Sequence, residues 1–133
     1  MYRVDLDQNR IEALETETFS NLGFSERSHL QEWIADQPQA LGEELLILQK
    51  EFAGFGGTKE RLDLLALDKS GNLVIIENKL DDSGRDVVWQ ALKYASYCAS
   101  LTGEEVCRIY QSYLDQQAET GNATDKISNF LGL

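Results

Sequence analysis

The sequence predicts an α/β domain of the mixed α+β kind, in which three consecutive strands lie between helices. The apolar segments from Arg61 to Asp68 and from Asn72 to Leu80 are joined by turn-forming residues, a pattern typical of a β-hairpin. A third apolar segment, Leu45 to Phe52, predicts a strand just upstream. A chain of 133 residues supports one domain with a modest single core.

The N-terminal region predicts a small hairpin outside this core. Tyr2 to Leu6 and Arg10 to Leu14 alternate apolar and polar residues around a turn. The segment from Thr16 to Leu22 predicts a short helix, which Gly23 would end.

Two helices are expected to flank the three strands. The first runs from Ser25, a good N-cap residue, to Pro38, which would end it. The second follows the predicted hairpin, from Gly84 to Tyr97.

The predicted hairpin carries charge where a buried strand should carry none. If Leu67 faces Leu73, pairing along the strands places Asp63 opposite Glu77. Side chains alternate with a period of two, so Asp63, Glu77 and Lys79 project from one face at one end of the hairpin.

Two neighbouring carboxylates repel each other and need a compensating partner. Oxygen ligands suit Mg²⁺ or Mn²⁺, which take one or two carboxylates and fill the remaining positions with water and substrate phosphate. Phosphodiester hydrolysis is the chemistry that such a site favours. The alternative is structural: Asp63 and Lys79 form a cross-strand ion pair, and Glu77 marks the point where the strand leaves the core.

The order Asp63, then Glu77-Asn78-Lys79, resembles the PD-(D/E)XK superfamily of restriction-endonuclease-like nucleases. The segment from Gly84 to Tyr97 resembles the helix that follows this motif in archaeal NucS-type endonucleases and their bacterial relatives. The resemblance covers Glu26 to Leu101, more than half of the chain. It implies an α-β-β-β-α core followed by a closing strand, and a metal-dependent endonuclease acting on nucleic acid, with DNA the expected substrate.

The resemblance also implies roles for the motif residues. Asp63 and Glu77 would bind Mg²⁺ or Mn²⁺ together with the backbone carbonyl of Asn78, and Lys79 would orient the attacking water or stabilise the charge that develops on the phosphate. Asn78 departs from the apolar residue that is commoner at the middle of this motif. Its side chain points to the opposite face, where a polar group needs a partner.

Gln90 and Tyr94 lie four residues apart, which places both on one face of the predicted helix. By resemblance they would flank the metal and contact substrate phosphate. The alternative is an ordinary core stripe formed by Val87, Ala91, Tyr94 and Cys98.

The same families often supply a further glutamate near the start of the first core helix. Glu26 is the best match to that position, and Glu32 is the second. Either residue could instead be a surface acid favoured by the helix dipole.

The predicted organisation has three parts: residues 1–24 form the N-terminal hairpin and short helix, residues 25–101 the nuclease-like core, and residues 102–133 a helical extension. The extension opens with a capping-box pattern, Thr102 to Glu105, and its last helix spans Asp125 to Leu131. No segment after Tyr97 has the pattern of the closing strand. We therefore expect the chain to be the N-terminal part of a longer protein with a further C-terminal domain, and the alternative is a fold that closes differently. A homodimer formed through a sheet edge or through the helices is also expected of the chain alone.

The net charge of −11 and the isoelectric point near 4.4 argue against strong binding of a polyanion. The stretch from Lys59 to Lys93 contributes only −1 of this charge, with six bases and seven acids, so the expected site is less acidic than the remainder. The alternative function is accordingly a nuclease-like module with weak or absent catalysis, serving nucleic-acid or protein interaction.

The sequence predicts a cytoplasmic protein that does not enter the membrane. It has no apolar run near the ~20 residues that a membrane helix requires, and the N-terminus lacks the features of a signal peptide.

Overall fold

A computed structural model describes residues 1–80 and 86–133 and has a mixed α+β architecture. The elements of these residues are, in chain order, β1 (Tyr2–Asp5), β2 (Arg10–Ala13), a π-helical turn (Glu26–Leu30), α1 (Gln31–Asp36), a 3₁₀ turn (Pro38–Leu41), β3 (Leu45–Phe52), β4 (Leu62–Asp68), β5 (Leu73–Ile76), α2 (Val87–Cys98), α3 (Gly103–Gln116) and α4 (Ala123–Leu131). No helix among them combines the length and apolar character that a membrane crossing requires.

The larger sheet is antiparallel and has the strand order β3-β4-β5. Leu67 pairs with Leu73 and Leu65 with Ile75, which confirms the predicted register of the hairpin. Strand β3 has the predicted bounds. An irregularity between Ile47 and Gln49 shifts its pairing with β4 by one residue.

Strand β5 ends at Ile76, four residues before the predicted end at Leu80. The strand ends early because side-chain carboxylates bind the backbone N–H groups that follow it. The N–H of Asn78 donates to a carboxylate oxygen of Asp63, and the N–H of Leu80 donates to a carboxylate oxygen of Glu26. These amides are therefore not available to extend a strand ladder.

The sheet is covered on both faces. One cluster of buried side chains lies between the sheet and helices α2 to α4 and includes Leu48, Leu65, Leu67, Tyr94, Cys98, Val106, Tyr110 and Leu114. The second cluster contains Leu45, Ile47, Leu64 and Ala66, and Ile34 and Ala35 of α1 pack against it. Burying a leucine contributes ~1.5–3 kcal/mol, so these two layers supply much of the driving force for folding.

The alternation of faces breaks where β3 ends. Strict alternation would place Leu62 on the Leu64 face, but Leu62 belongs to the cluster on the α2 side, as does Phe52 across from it. Phe52 packs edge-on against Phe55, with ring centroids 5.2 Å apart. The residue between the paired positions, Glu51, has a positive φ of 52°, which turns the backbone there.

The predicted helix from Ser25 to Pro38 forms in three pieces. The side chain of Ser25 caps it, since its Oγ accepts the N–H of Ser28 at 3.1 Å. A π-helical turn then leads into α1, and Pro38 opens the 3₁₀ turn instead of continuing the helix. The start of the helix predicted from Gly84 lies outside the described residues, and α2 is described from Val87.

In the N-terminal part, the predicted hairpin is confirmed and the predicted helix is wrong. Strands β1 and β2 pair antiparallel, with Val4 opposite Ile11. The segment from Thr16 to Leu22 forms turns instead of a helix. Side chains compete for the backbone there, because Thr18 Oγ1 accepts the N–H of Asn21 at 3.2 Å.

The C-terminal part is helical, as predicted. The capping box between Thr102 and Glu105 is present, and Asn122 caps α4, which begins at Ala123 instead of the predicted Asp125. No strand follows α2 within residues 86–133, and among the described residues β5 pairs only with β4. The closing strand of the predicted core is therefore not found within residues 1–80 and 86–133.

Candidate active site at one end of the central sheet

The candidate site lies at the end of the sheet where β4 begins and β5 ends. Strand β4 carries Asp63 at its second position, and Glu77 directly follows β5. The side chains of Asp63, Glu77 and Lys79 lie close enough for their charges to affect one another, as the hairpin register predicts. Glu26, from the π-helical turn, joins them.

Asp63 is held by the backbone of the neighbouring segment. Its Oδ2 accepts the N–H of Asn78 at 2.7 Å. Burial raises the pKa of this carboxyl above its ordinary value, and the nearby charge of Glu77 raises it further, although the hydrogen bond from Asn78 opposes the shift. The positive charge of Lys79 also acts to lower this pKa, but the net shift is upward.

Glu77 is the most enclosed acid of the group, with a side chain only 6% exposed. Its Oε1 accepts a hydrogen bond from Lys79 Nζ at 3.0 Å, whereas its Oε2 is buried and has no hydrogen-bond partner among residues 1–80 and 86–133. A buried carboxylate oxygen without a partner is expensive, because desolvation removes its water and nothing replaces it.

Lys79 bridges two of the acids. Its Nζ lies 3.0 Å from Glu77 Oε1 and 3.9 Å from Glu26 Oε2. Partial burial acts to lower the pKa of Lys79, but the hydrogen bond and charge of Glu77 outweigh it, so the net shift is upward. Lys79 is therefore a cation at neutral pH. Its ion pairs are with these two glutamates. The alternative prediction of a cross-strand ion pair between Asp63 and Lys79 is therefore wrong.

Of the two glutamates considered on the first helix, Glu26 is at the site. Its Oε1 accepts the N–H of Leu80 at 2.8 Å. Glu32 instead forms an ion pair with Lys50 at 2.8 Å. Three acids from separate elements thus bind three consecutive residues: Asp63 holds the Asn78 amide, Glu77 the Lys79 ammonium and Glu26 the Leu80 amide.

Tyr94 lies near the candidate site, with its hydroxyl engaged in a buried hydrogen bond. Its side chain is 3% exposed, and its hydroxyl donates to the carbonyl of Arg61 at 2.9 Å. Burial, followed by the charge of Glu77, raises the pKa of this phenol. Tyr94 and Cys98 both lie in the buried cluster, in agreement with the core-stripe alternative for Tyr94. The hydroxyl fixes the backbone just before Leu62 and Asp63.

Within the described residues, the side chains of Gln90 and Asn78 contain polar groups without hydrogen-bond partners. The side chain of Gln90 is half-buried and makes no hydrogen bond within the described ranges. Asn78 is 4% exposed, and its Nδ2 is buried without a partner, so the partner that its side chain needs is not supplied. Its backbone N–H is satisfied by Asp63.

Two residues at the site, Glu51 and Arg27, were not identified from the sequence. The pairs Lys50–Leu64 and Phe52–Leu62 place Glu51 across from Asp63, and Glu51 forms an ion pair of 2.7 Å with Arg27. The register that reveals Glu51 depends on the irregularity between Ile47 and Gln49, which apolar alternation does not indicate. Arg27 follows Glu26, so its position becomes informative only once Glu26 is placed.

The donors present are carboxylate and carbonyl oxygens, which fit Mg²⁺ or Mn²⁺ better than Zn²⁺ or Cu²⁺. Among residues 1–80 and 86–133, no group of three or more His, Cys, Asp or Glu is arranged to hold a metal ion. Mg²⁺ and Mn²⁺ need fewer protein ligands, since they are commonly bound by one or two carboxylates with water and phosphate completing the shell. The buried, unpartnered Oε2 of Glu77, near the half-buried Asp63, is a donor of this kind.

Comparisons of the chain with protein-family models, with curated proteins and with solved structures found no match.

Proposed function

We propose that this chain is a metal-dependent nuclease domain that hydrolyses phosphodiester bonds of nucleic acid, with DNA the expected substrate. The observation that carries the proposal is Glu77 Oε2, a buried carboxylate oxygen that has no partner in the part of the chain that the structure describes and that lies near a second acid, Asp63, whose pKa is raised. A cation would satisfy the first group and favour ionisation of the second. The resemblance of Asp63 and Glu77-Asn78-Lys79 to the PD-(D/E)XK motif supports a restriction-endonuclease-like core.

The cation would be Mg²⁺ or Mn²⁺, held by the carboxylates of Asp63 and Glu77 and by the backbone carbonyl of Asn78. A bound ion of this type supplies Lewis acidity toward the phosphate and lowers the pKa of a coordinated water.

Lys79 is the residue that acts on the reacting group. Its ammonium can donate to the attacking water or to a phosphate oxygen as negative charge increases there, which is stabilisation by a preorganised donor. Glu77 orients this ammonium through their 3.0 Å contact. Glu26 supports it by holding the backbone at Leu80.

Tyr94 and Gln90 have separate parts in this proposal. Tyr94 is a positioning residue, because its hydroxyl fixes the Arg61 carbonyl two residues before Asp63. Gln90 would contact the substrate, since its half-buried amide has donors and an acceptor without partners in the described residues.

A second candidate is a nuclease-like module that binds protein or nucleic acid without useful catalysis. It is favoured by the net charge of −11 and by the placement of Lys79, whose charge is already balanced by Glu77 and Glu26. Such a module would keep the fold without turnover.

A cleavage assay with purified protein distinguishes the two. Labelled single-stranded and duplex DNA and RNA are incubated with Mg²⁺, Mn²⁺ or a chelator, and Asp63→Asn, Glu77→Gln and Lys79→Ala are compared with Glu44→Gln. Glu44 is an exposed acid next to β3, at the opposite end of the sheet, and pairs with Lys69. Cleavage that requires metal, is lost in the three site variants and persists in the control supports the nuclease. No cleavage of any substrate with either metal favours the interaction module.

A further inference from the structure

Glu51 has a backbone conformation that its residue type does not favour. It lies within strand β3 with a φ of 52°, in the left-handed region that glycine and asparagine populate most readily. A glutamate held there is strained, and strain of this kind persists only where surrounding contacts enforce it.

Two contacts of Glu51 connect it to the candidate site. Across the sheet it lies opposite Asp63. Its Oε2 accepts a hydrogen bond of 2.7 Å from the exposed guanidinium of Arg27. Arg27 directly follows Glu26, whose carboxylate holds the Leu80 amide. A continuous set of contacts therefore runs from the strained residue, through Arg27, to the segment that carries Lys79.

The π-helical turn makes this arrangement more unusual. Glu26 and Arg27 open a turn from Glu26 to Leu30 that is wider than an α-helix, and such turns occur frequently at functional sites. Besides the link to Glu51, the turn contacts the site through the bonds of Glu26 to Leu80 and Lys79.

We propose that Glu51 and Arg27 are positioning residues of this site. Their ion pair holds the Glu26 turn against strand β3, and the carboxylates of Asp63 and Glu77 thereby keep a geometry able to bind a divalent cation. The inference rests on the proposed function and extends it to two residues outside the nuclease motif. The buried Oε2 of Glu77 is the independent sign that a cation belongs there. In agreement with this placement, the charge of Glu51 contributes to raising the pKa of Asp63, after burial and the charge of Glu77.

A plain surface ion pair would behave differently. Exposed pairs contribute little to stability, and their loss leaves distant binding unchanged. Groups that orient metal ligands are different, since their removal typically weakens metal affinity by ~10–100-fold.

The experiment measures Mn²⁺ affinity by calorimetry and the melting temperature of the metal-free protein, for the wild type and four variants. Glu51→Asn removes the charge and suits the positive φ. Arg27→Gln breaks the pair from the other side, and Arg27→Lys retains its charge. Glu119→Gln is the control, because Glu119 also pairs with a lysine, Lys126, at 2.8 Å but lies outside the site.

We expect Glu51→Asn and Arg27→Gln each to weaken Mn²⁺ binding about tenfold, while Glu51→Asn melts at the same or a higher temperature without metal because its backbone strain is relieved. Arg27→Lys should recover most of the affinity, and the control should match the wild type. Wild-type affinity in both Glu51→Asn and Arg27→Gln overturns the inference and leaves the proposed function standing. A wild type that does not bind Mn²⁺ overturns both.

Discussion

Replacing Tyr94 by phenylalanine separates a positioning role from a direct role in binding phosphate. The substitution removes one hydroxyl and leaves the ring, which stacks on Phe55 with centroids 5.4 Å apart. What is lost is the 2.9 Å hydrogen bond to the Arg61 carbonyl. We expect a loss of stability and a small functional effect.

The magnitude follows from the burial of the group. Tyr94 is 3% exposed, so water does not readily replace the hydroxyl as a donor to the carbonyl. A buried hydrogen bond contributes ~0.5–1.5 kcal/mol, and leaving its acceptor unsatisfied costs ~1–3 kcal/mol. We therefore expect Tyr94→Phe to lower the free energy of unfolding by ~1–2 kcal/mol, which in a domain of this size lowers the melting temperature by roughly 3–8 °C.

Urea denaturation, analysed with a common slope, measures this change. The control is Tyr97→Phe on the same helix, since Tyr97 is 37% exposed and its hydroxyl makes no hydrogen bond within the described residues. The control should change stability by less than ~0.5 kcal/mol. If Tyr94→Phe is as stable as the wild type but loses cleavage, the hydroxyl acts on substrate and the reasoning is refuted.

Four further outcomes are expected. In metal-free buffer near neutral pH, Asp63→Asn should be more stable than the wild type, because a carboxyl whose pKa is raised by folding makes the folded protein less stable as pH rises through that pKa. The difference should vanish below the ordinary pKa of 3.8, where Asp63 is protonated in both the folded and the unfolded state. A difference in stability that persists at that pH would show that ionisation of Asp63 is not its cause. Mn²⁺ at about 100 times its dissociation constant should stabilise the wild type by ~2.7 kcal/mol in a thermal melt, and equal stabilisation of Glu77→Gln would place the ion elsewhere. Asn78→Leu should raise stability by ~1 kcal/mol in urea, since it removes a buried amide without a partner, whereas the control Asn72→Leu should lower it because Asn72 binds Asp68. Light scattering over a concentration series should show dimers formed through the open edge of β5, and a strictly monomeric chain with full cleavage activity would contradict this expectation.

The register of the hairpin could be predicted from the sequence because one short turn fixes it. Once Leu67 faces Leu73, the pairs as far as Leu64 and Ile76 follow by alternation. Glu77 and Lys79 lie beyond the last pair, and their contacts with each other and with Glu26 place them at the site. Local capping signals were equally reliable at Ser25 and Thr102, where the side chain and the amides that it binds lie within one turn.

Features that depend on distant parts of the chain could not be predicted. The early end of β5 arises because Glu26, more than fifty residues earlier, takes the Leu80 amide. Glu51 lies at the site because of an irregularity in β3 and a positive φ, and neither has a sequence signal at a glutamate.

One local prediction was also wrong. The helix predicted from Thr16 does not form, because the side chain of Thr18 binds the backbone N–H of Asn21, a competition that helix propensity alone does not decide.

The binding of two backbone amides by two different acids gives the site its own spectroscopic probes. Asn78 N–H reports on Asp63, and Leu80 N–H reports on Glu26. The nitrogen and proton shifts of these two signals, and their rates of exchange with solvent, would follow each carboxylate separately as a cation or a phosphate analogue is added. Occupancy and the order in which the acids respond could thus be followed by NMR in the ¹⁵N-enriched wild-type protein, without a substrate or a substitution.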